Sequence, residues 1–482
     1  MGSREAVASD DWAGAGAAGD TGPGREAFTG ERPRASTMPG MSTTSAVPGP
    51  GPATPAGPIE RRLDRRHVTA WALWDWGSAS FNAVMVTFVF ATYLASDAFD
   101  VPGNEARGTQ WLTAANAVGG IVIALTAPVI GQRSDRGGRR RLWLGLNTGM
   151  VIALTALCFL VRPHESYLLL GVILLAAGNV FFEFAEVNYN AMLLQVATPR
   201  TIGRVSGLGW GAGYVGGILL LLVLYVGFIA GDAHWFGITE DDALNIRLVA
   251  LFAAAWFLVF ALPVLLGVPE HRPTAPGARA SLPESYRRLG RTIRGLWRED
   301  RNTFWFLVSS AVFRDGVGAV FTYGAILGVA VYGVPQADIL LFGIAANVVA
   351  AAGSFLGGWI DDRTGPKRVI LASLLGLVVT GAVIFFLDGT TAFWVFGLML
   401  CFFVGPVQSA SRSFLGRLAP EQRAGELYGL YATTGRAVSF LAPALISVTM
   451  ALTHDERFMV PAILVVLLLG MAFLLRVRDP AA

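Results

Sequence analysis

The sequence predicts an all-α membrane protein: twelve transmembrane helices in two six-helix bundles related by an internal repeat. Three observations carry this expectation. The 482-residue chain is 54% hydrophobic and only 15% charged, where an average soluble domain carries roughly 25% charge. Its apolar residues fall into twelve runs, each near the ~20 residues that cross a bilayer. One short loop also occurs twice, at matched places in the two halves, as in transporters built from repeats.

Residues 1–60 are rich in Gly, Ala, Pro, Ser and Thr without apolar periodicity. They are expected to form a disordered cytoplasmic segment, and not a signal peptide, because no apolar core follows a basic start. A first bundle over 61–268 holds spans at roughly 68–95, 109–132, 142–161, 167–195, 206–230 and 246–268. Residues 269–301 are the one long internal connection. Pro269, Pro273 and Pro276 mark linker, then Ser281 with Glu284 fits a capping box and Pro283 an early helix position. Leu282, Tyr286, Leu289, Ile293 and Leu296 follow at steps of four and three, with arginines on the other faces. That is a basic amphipathic helix, expected either on the inner membrane surface against anionic lipid or as a solvated linker helix. The second bundle, 302–482, holds spans at roughly 302–332, 337–360, 369–387, 391–415, 427–451 and 458–477.

The repeated loop reads GQRSDRGGRRR from Gly131 and GWIDDRTGPKR from Gly358. Its skeleton aligns Asp135 with Asp362, Arg136 with Arg363, Gly138 with Gly365, and Arg140 and Arg141 with Lys367 and Arg368. The plain reading is a topology anchor of positive charge. Two copies favour a gate, in which Asp135 and Asp362 pair with arginines of the opposite half in one conformation and release in the other. Arginines gather on one side of the spans, from Arg61, Arg62, Arg65 and Arg66 through the repeated loops to Arg476 and Arg478. The opposite loops are acidic or neutral, with Asp97, Asp100 and Glu105, then Asp232, Glu240, Asp241 and Asp242, then Asp455 and Glu456. By the positive-inside rule both termini are cytoplasmic, in a multi-pass protein of the cell membrane.

Other classes are disfavoured. Cys158 and Cys401 lie singly in apolar runs, as buried thiols without metal-ligand company. The five histidines sit in loops or at span edges without clustering, so no metal centre or cofactor is expected and the chain does not read as an enzyme. The net charge of +3 is spread over short loops, unlike a nucleic-acid binder. GAGYVG from Gly211 matches a dinucleotide pattern but lies within a span with no preceding strand. Gly209, Gly213 and Gly217 recur every four residues instead, giving a smooth face for helix packing.

The duplicated loop resembles the signature between spans two and three, and eight and nine, of the major facilitator superfamily. Three further stretches, AWALWDWGSASF from Ala70, GRVSGLGWGAGYVGG from Gly203 and VGPVQSASRSFLGRLAP from Val404, are similar to the UMF1-type branch, which includes fungal vacuolar amino-acid effluxers. The resemblance runs from residue 68 to the end. It implies secondary active movement of a small polar metabolite, with amino-acid efflux foremost, and a cavity lined by spans one, four, seven and ten. A drug or lipid exporter and a non-transporting receptor are the alternatives. The expected partners are a small-molecule substrate, a coupling proton and membrane lipids, in a monomer that binds no nucleic acid.

Charge inside a span costs about 3 kcal/mol on insertion scales and usually faces a cavity or a partner. Such residues concentrate in spans one, four, seven and ten: Asp75, Glu183 and Glu186, Arg314 and Asp315, and Gln408 and Arg412; Arg436 of span eleven is the exception. Asn179, Glu183, Glu186 and Asn190 are spaced four, three and four, on one helix face. Two carboxylates so close in low dielectric do not ionise together readily, which suits a proton carrier or a counter-charge for a substrate amine; the alternative is a static pair between Glu183 and Arg314. Asp75 is expected to touch substrate or to pair with Arg133 or Arg204. Trp71, Trp74 and Trp76 read as interfacial belt residues. Arg412 fits an inner-gate pair or a headgroup contact better than a substrate carboxylate. Asn116 and Asn347 read as interhelical hydrogen-bond glue.

Overall fold

The computed structural model describes residues 64–101, 107–229, 238–239, 241–270 and 281–480. The expectations for residues 1–60, for Pro273 and Pro276 and for Asp232 and Glu240 lie outside the described residues.

Among the described residues, twelve helical segments are long and apolar enough to cross a membrane. In chain order the α-helices are α1 (Arg65–Ala79), α2 (Phe90–Leu94), α3 (Arg107–Gly137), α4 (Arg140–Leu157), α5 (Leu168–Val196), α6 (Ile202–Leu224), α7 (Leu244–Gly267), α8 (Leu282–Arg298), α9 (Arg301–Ala330), α10 (Gln336–Thr364), α11 (Pro366–Phe385), α12 (Thr390–Leu418), α13 (Ala424–Val438), α14 (Leu441–Thr453) and α15 (Met459–Leu475). Spans one to six run from α1 to α7, α8 is the linker helix, and spans seven to twelve run from α9 to α15. Two apolar cores result. One lies among α1–α7; the other fills the second half and reaches across to Phe184, Val187 and Ala191 of α5.

Two spans are broken, which the apolar runs did not indicate. Span one is α1, a π-helical stretch Ser80–Phe88, then α2, the kind of local unwinding that recurs at functional sites. Span eleven breaks between α13 and α14, and the Asp315 carboxylate caps the second piece by accepting the Ala442 N–H at 2.6 Å. That acceptor replaces a helical carbonyl lost at the break. Elsewhere the local chemistry follows the sequence. Ser281 accepts the Glu284 N–H and Pro283 stands in the first turn of α8. Gly138 and Gly365 adopt φ of 59° and 91° where the two repeated loops turn, a region open to glycine without strain.

Candidate functional site

A cavity of about 380 Å³ lies between the two halves. Span one supplies Asp75, Asn82, Thr87 and Phe88, α5 supplies Phe182 and Glu186, and α6 supplies Trp210 and Tyr214. Across from them stand Phe321 of α9, Asn347 of α10 and Gln408 of α12. The walls are therefore mostly apolar and aromatic. Asp75 and Glu186 are the charged side chains among its lining residues, and both are carboxylates. Beyond the expected spans one, four, seven and ten, α6 and α10 also contribute. The upper rim at Thr87 and Phe88 is exposed, at the end remote from the repeated loops.

Below the cavity an ion pair ties the halves together. Arg412 of α12 lies 3.1 Å from the Asp75 carboxylate of α1. It also donates to Asn190 Oδ1 of α5 at 3.3 Å, and to the hydroxyl and carbonyl of Ser206 on α6 at 3.0 and 2.6 Å. Tyr189 donates its hydroxyl to the same Asp75 oxygen at 2.8 Å. Trp71 stacks on Tyr189 at 4.4 Å, and the Arg412 guanidinium sits 4.8 Å over the Trp71 ring. Trp71 and Trp74 are therefore not belt residues: both have zero exposure, and their indoles donate to Tyr189 O and Thr148 Oγ1. Aromatic faces wall a buried charge from lipid while attracting its cation. Asp75 takes Arg412 rather than Arg133 or Arg204, because span ten crosses beside α1 and α6 at this depth.

Gly209 makes that pair possible. A Cβ there would lie 2.6 Å from an Arg412 nitrogen and 2.8 Å from the Trp71 ring. Gly213 and Gly217 meet Asp75 O and Ala79 Cβ at ordinary contact, 3.4 Å each. The glycine stripe of α6 thus faces span one, and its first member opens the space for the ion pair.

The repeated loops close the same end. Asp135 accepts the N–H groups of Gly425 (3.0 Å) and Glu426 (2.9 Å) at the start of α13. Asp362 accepts those of Gly203 (2.8 Å) and Arg204 (3.2 Å) at the start of α6. Each loop carboxylate therefore grips a helix N-terminus of the opposite half, where unpaired N–H groups and the helix dipole favour an anion. This corrects the expectation that both pair with opposite arginines. Asp362 does reach Arg204 at 3.2 Å, but Asp135 pairs at 2.6 Å with Arg140 of its own loop, a residue with no exposure. Gly131 and Gly358 lie against the backbones of Gly425 and of Gly203 and Gly207, leaving no room for a side chain.

The two loops are not chemically equivalent. Lys367, aligned with Arg140, instead donates to Leu475 O and Val477 O at the end of α15. Arg417 takes over, 2.6 Å from Asp361 and 3.5 Å from Asp362. Arg363 lies over the Trp359 ring at 3.4 Å, and Arg136 is half-buried at the end of α3. Asp361 and Arg417 went unnoticed in the sequence, although the doubled aspartate and an arginine four residues after Ser413 were visible signals.

Glu183, Arg314, Asp315, Asn179 and Asn190 are not among the residues lining the cavity. Glu183 pairs with Arg436 of α13, not with Arg314, because span eleven rather than span seven packs beside this part of α5. Arg314 lies 3.8 Å over the Tyr431 ring and donates to Tyr431 O. Asp315 is the cap described above, and Asn190 donates weakly to Glu186 at 3.4 Å while accepting from Arg412. Asn179 is half-buried on the α5 stripe. Among the described residues Glu186 has no ion-pair partner. The asparagine glue is also corrected: Asn116 is exposed, and Asn347 donates within its own helix to Gly343 O and lines the cavity. Cys158 and Cys401 are free and buried. Among the described residues no group of His, Cys, Asp and Glu is placed to hold a metal.

Residues 198–480 match the family described as vacuole effluxer Atg22 like, and residues 22–221 match the Major Facilitator Superfamily. The uncharacterized MFS-type transporter YxiO of Bacillus subtilis is 26% identical over 84% of this chain and 93% of that protein. Autophagy-related protein 22 of Yarrowia lipolytica is 22% identical over 61% of this chain and 54% of that protein, so the match spans about half of the fungal relative. Among solved structures, the proton:xylose symporter XylE bound to 6-bromo-6-deoxy-D-glucose shares 15% identity with a TM-score of 0.67, covering 86% of this chain and 96% of that one. A likeness at this identity is one of fold.

Proposed function

We propose that this chain, which belongs to the Atg22-like effluxer family within the major facilitator superfamily, exports a small zwitterionic metabolite, an amino acid foremost, by alternating access coupled to a proton. It is a multi-pass membrane transporter and not an enzyme. The observation that carries the finer reading is the charge of the cavity, whose charged lining residues are the carboxylates Asp75 and Glu186 set in apolar walls. In low dielectric such a site attracts an ammonium group strongly.

The same geometry suggests how binding moves the halves. Asp75 faces the cavity and also holds Arg412. A substrate ammonium at Asp75 competes with that guanidinium. Releasing Arg412 frees α12 from α1, α5 and α6 at once, so the loop seals beneath part and cytoplasmic substrate reaches Asp75. Re-forming the pair as the seals close displaces the ammonium outward. Glu186, without an ion-pair partner among the described residues, is the group we assign to the coupling proton. Placing the arginine-rich face in the cytoplasm of a bacterial cell makes the sealed-loop state outward-facing. Single cysteines at Asp241 and Glu456 should then react with an impermeant thiol reagent in intact cells, and one at Arg288 should not. Labelling at 288 from outside would reverse the orientation.

Aromatic walls at Trp74, Phe182, Trp210 and Phe321 favour a second reading, export of an apolar organic cation. Metabolite profiling separates the two. A deletion strain should accumulate one or a few amino acids inside and release less of them than its complement, and proteoliposomes should carry the same compounds. Transport confined to lipophilic amines would select the second reading.

A further inference from the structure

Helix α8 carries three stripes of different chemistry. Ser285, Leu289, Thr292 and Leu296 turn toward the bundle, with Ser285 and Leu296 buried and Leu289 packed on the core. Arg287, Arg291, Arg294 and Arg298 are all exposed on the far side at the same spacing. Between them runs an apolar edge of Tyr286, Ile293 and Trp297, which are 42%, 43% and 51% exposed. An apolar edge of this size calls for an apolar cover. Its neighbour identifies the cover. The Tyr286 hydroxyl donates to Leu125 O at 3.2 Å, well inside α3, where Val118, Ile121 and Leu125 are each at least 58% exposed and so face lipid. The edge continues that lipid-facing surface, and the arginines beside it match anionic headgroups.

The bundle side of α8 holds a second feature. Thr292 donates to Glu426 Oε1 at 2.7 Å, and Gln132 of α3 donates to the same oxygen at 3.1 Å. Arg423 donates to Thr292 Oγ1 and to Glu426 Oε2, each at 3.2 Å. Glu426 is also the residue whose N–H is gripped by Asp135. Helix α8 therefore rests on α3 of the first half through Tyr286 and on α13 of the second through Thr292. It keeps both contacts only while the halves are together at this end.

We propose that α8 is a binding surface for anionic membrane lipid, and that lipid docked on its arginine stripe holds the repeated-loop gate shut through Thr292 and Glu426. Lipid pins α8 along the outer side of α3, so the Thr292–Glu426 contact survives only in the sealed state. That difference in contacts is what lets a ligand shift the equilibrium. The inference rests on the alternating-access reading but not on which solute is carried.

The test measures a distance, not transport. Spin labels at Arg139 and Gln422, in full-length protein with Cys158 and Cys401 replaced by alanine, report the opening of this end. In vesicles of phosphatidylcholine mixed three to one with phosphatidylglycerol, the open-to-sealed ratio should fall about fivefold relative to phosphatidylcholine alone. High salt should erase the shift in the unaltered protein, as should replacing Arg287, Arg291, Arg294 and Arg298 with glutamine. Thr292→Val should also lose it while an environment-sensitive fluorophore on a single cysteine at Trp297 still responds to the anionic lipid. A shift that persists at high salt or without the arginines overturns the proposal. So does an unresponsive wild-type protein, or a shift reproduced by soluble glycerol phosphate. If neither lipid mixture ever shows two distances, the alternating-access reading itself fails.

Discussion

Arg412→Gln is expected to be the most damaging single substitution in the chain, ending transport and removing about 3–5 kcal/mol of stability. The guanidinium is 4% exposed and supplies hydrogen bonds to α1, α5 and α6 together. Removing it leaves the Asp75 carboxylate, itself 16% exposed, without its counter-charge. Asp75→Asn should cost a similar amount for the mirror reason, since a buried guanidinium is then left unpaired. The double variant Asp75→Asn with Arg412→Gln should recover much of the stability, because the uncompensated charge is gone. It should not recover transport, because the substrate-sensitive tie between the halves is gone as well. Thermal unfolding in detergent and counterflow in proteoliposomes read the two effects separately. Normal transport by the double variant would show the pair to be structural only. Gly209→Ala offers an independent check, as its methyl would invade the pair while leaving every charged group in place. Asp135→Asn and Asp362→Asn should do less, slowing transport with insertion intact, since each keeps part of its hydrogen bonding.

Those pairings show where sequence reasoning stops. Span number, repeat and linker helix were legible because they depend on local composition: apolar length, arginine asymmetry, a capping box and a loop present twice. The depth of Asp75, Glu186 and Arg412 was legible too, because charge in an apolar run is conspicuous. What charge pairs with what was not. Asp75 meets Arg412 across 337 positions and Glu183 meets Arg436 across 253, and no local rule links such distant residues. Trp71 and Trp74 illustrate the same limit, for tryptophans near a span end suit a lipid interface as well as a buried lid over an ion pair. The loop carboxylates Asp135 and Asp362 met backbone N–H groups because helix starts on the opposite half offered anion sites that carry no residue signature. The break in span eleven did have a signal: Pro443 stands in the first turn of α14, a position that commonly follows a helix start.

Glu186→Gln is expected to abolish pH-driven accumulation while sparing exchange of labelled for unlabelled substrate, because exchange requires no net proton movement. The amide can neither take up nor release a proton, so a carrier fixed in that form can still exchange substrate but is no longer driven by a pH gradient. Glu186 suits this role because it lines the cavity and, among the described residues, has a weak contact from Asn190 at 3.4 Å and no ion pair. Glu183, its neighbour one turn away, is bound to Arg436 of the opposite half and serves as the internal control. Glu183→Gln should destabilise the protein by stranding Arg436, though less than a change at Asp75, since that guanidinium is 34% exposed and water screens it. Glu183→Gln with Arg436→Met should restore folding together with pH-driven transport if the pair is structural. Uncoupling by Glu183→Gln in a well-folded protein, with Glu186→Gln behaving as wild type, would move the proton to the paired carboxylate. Alternating access would then run through the breaking of an ion pair and not through the titration of a free acid.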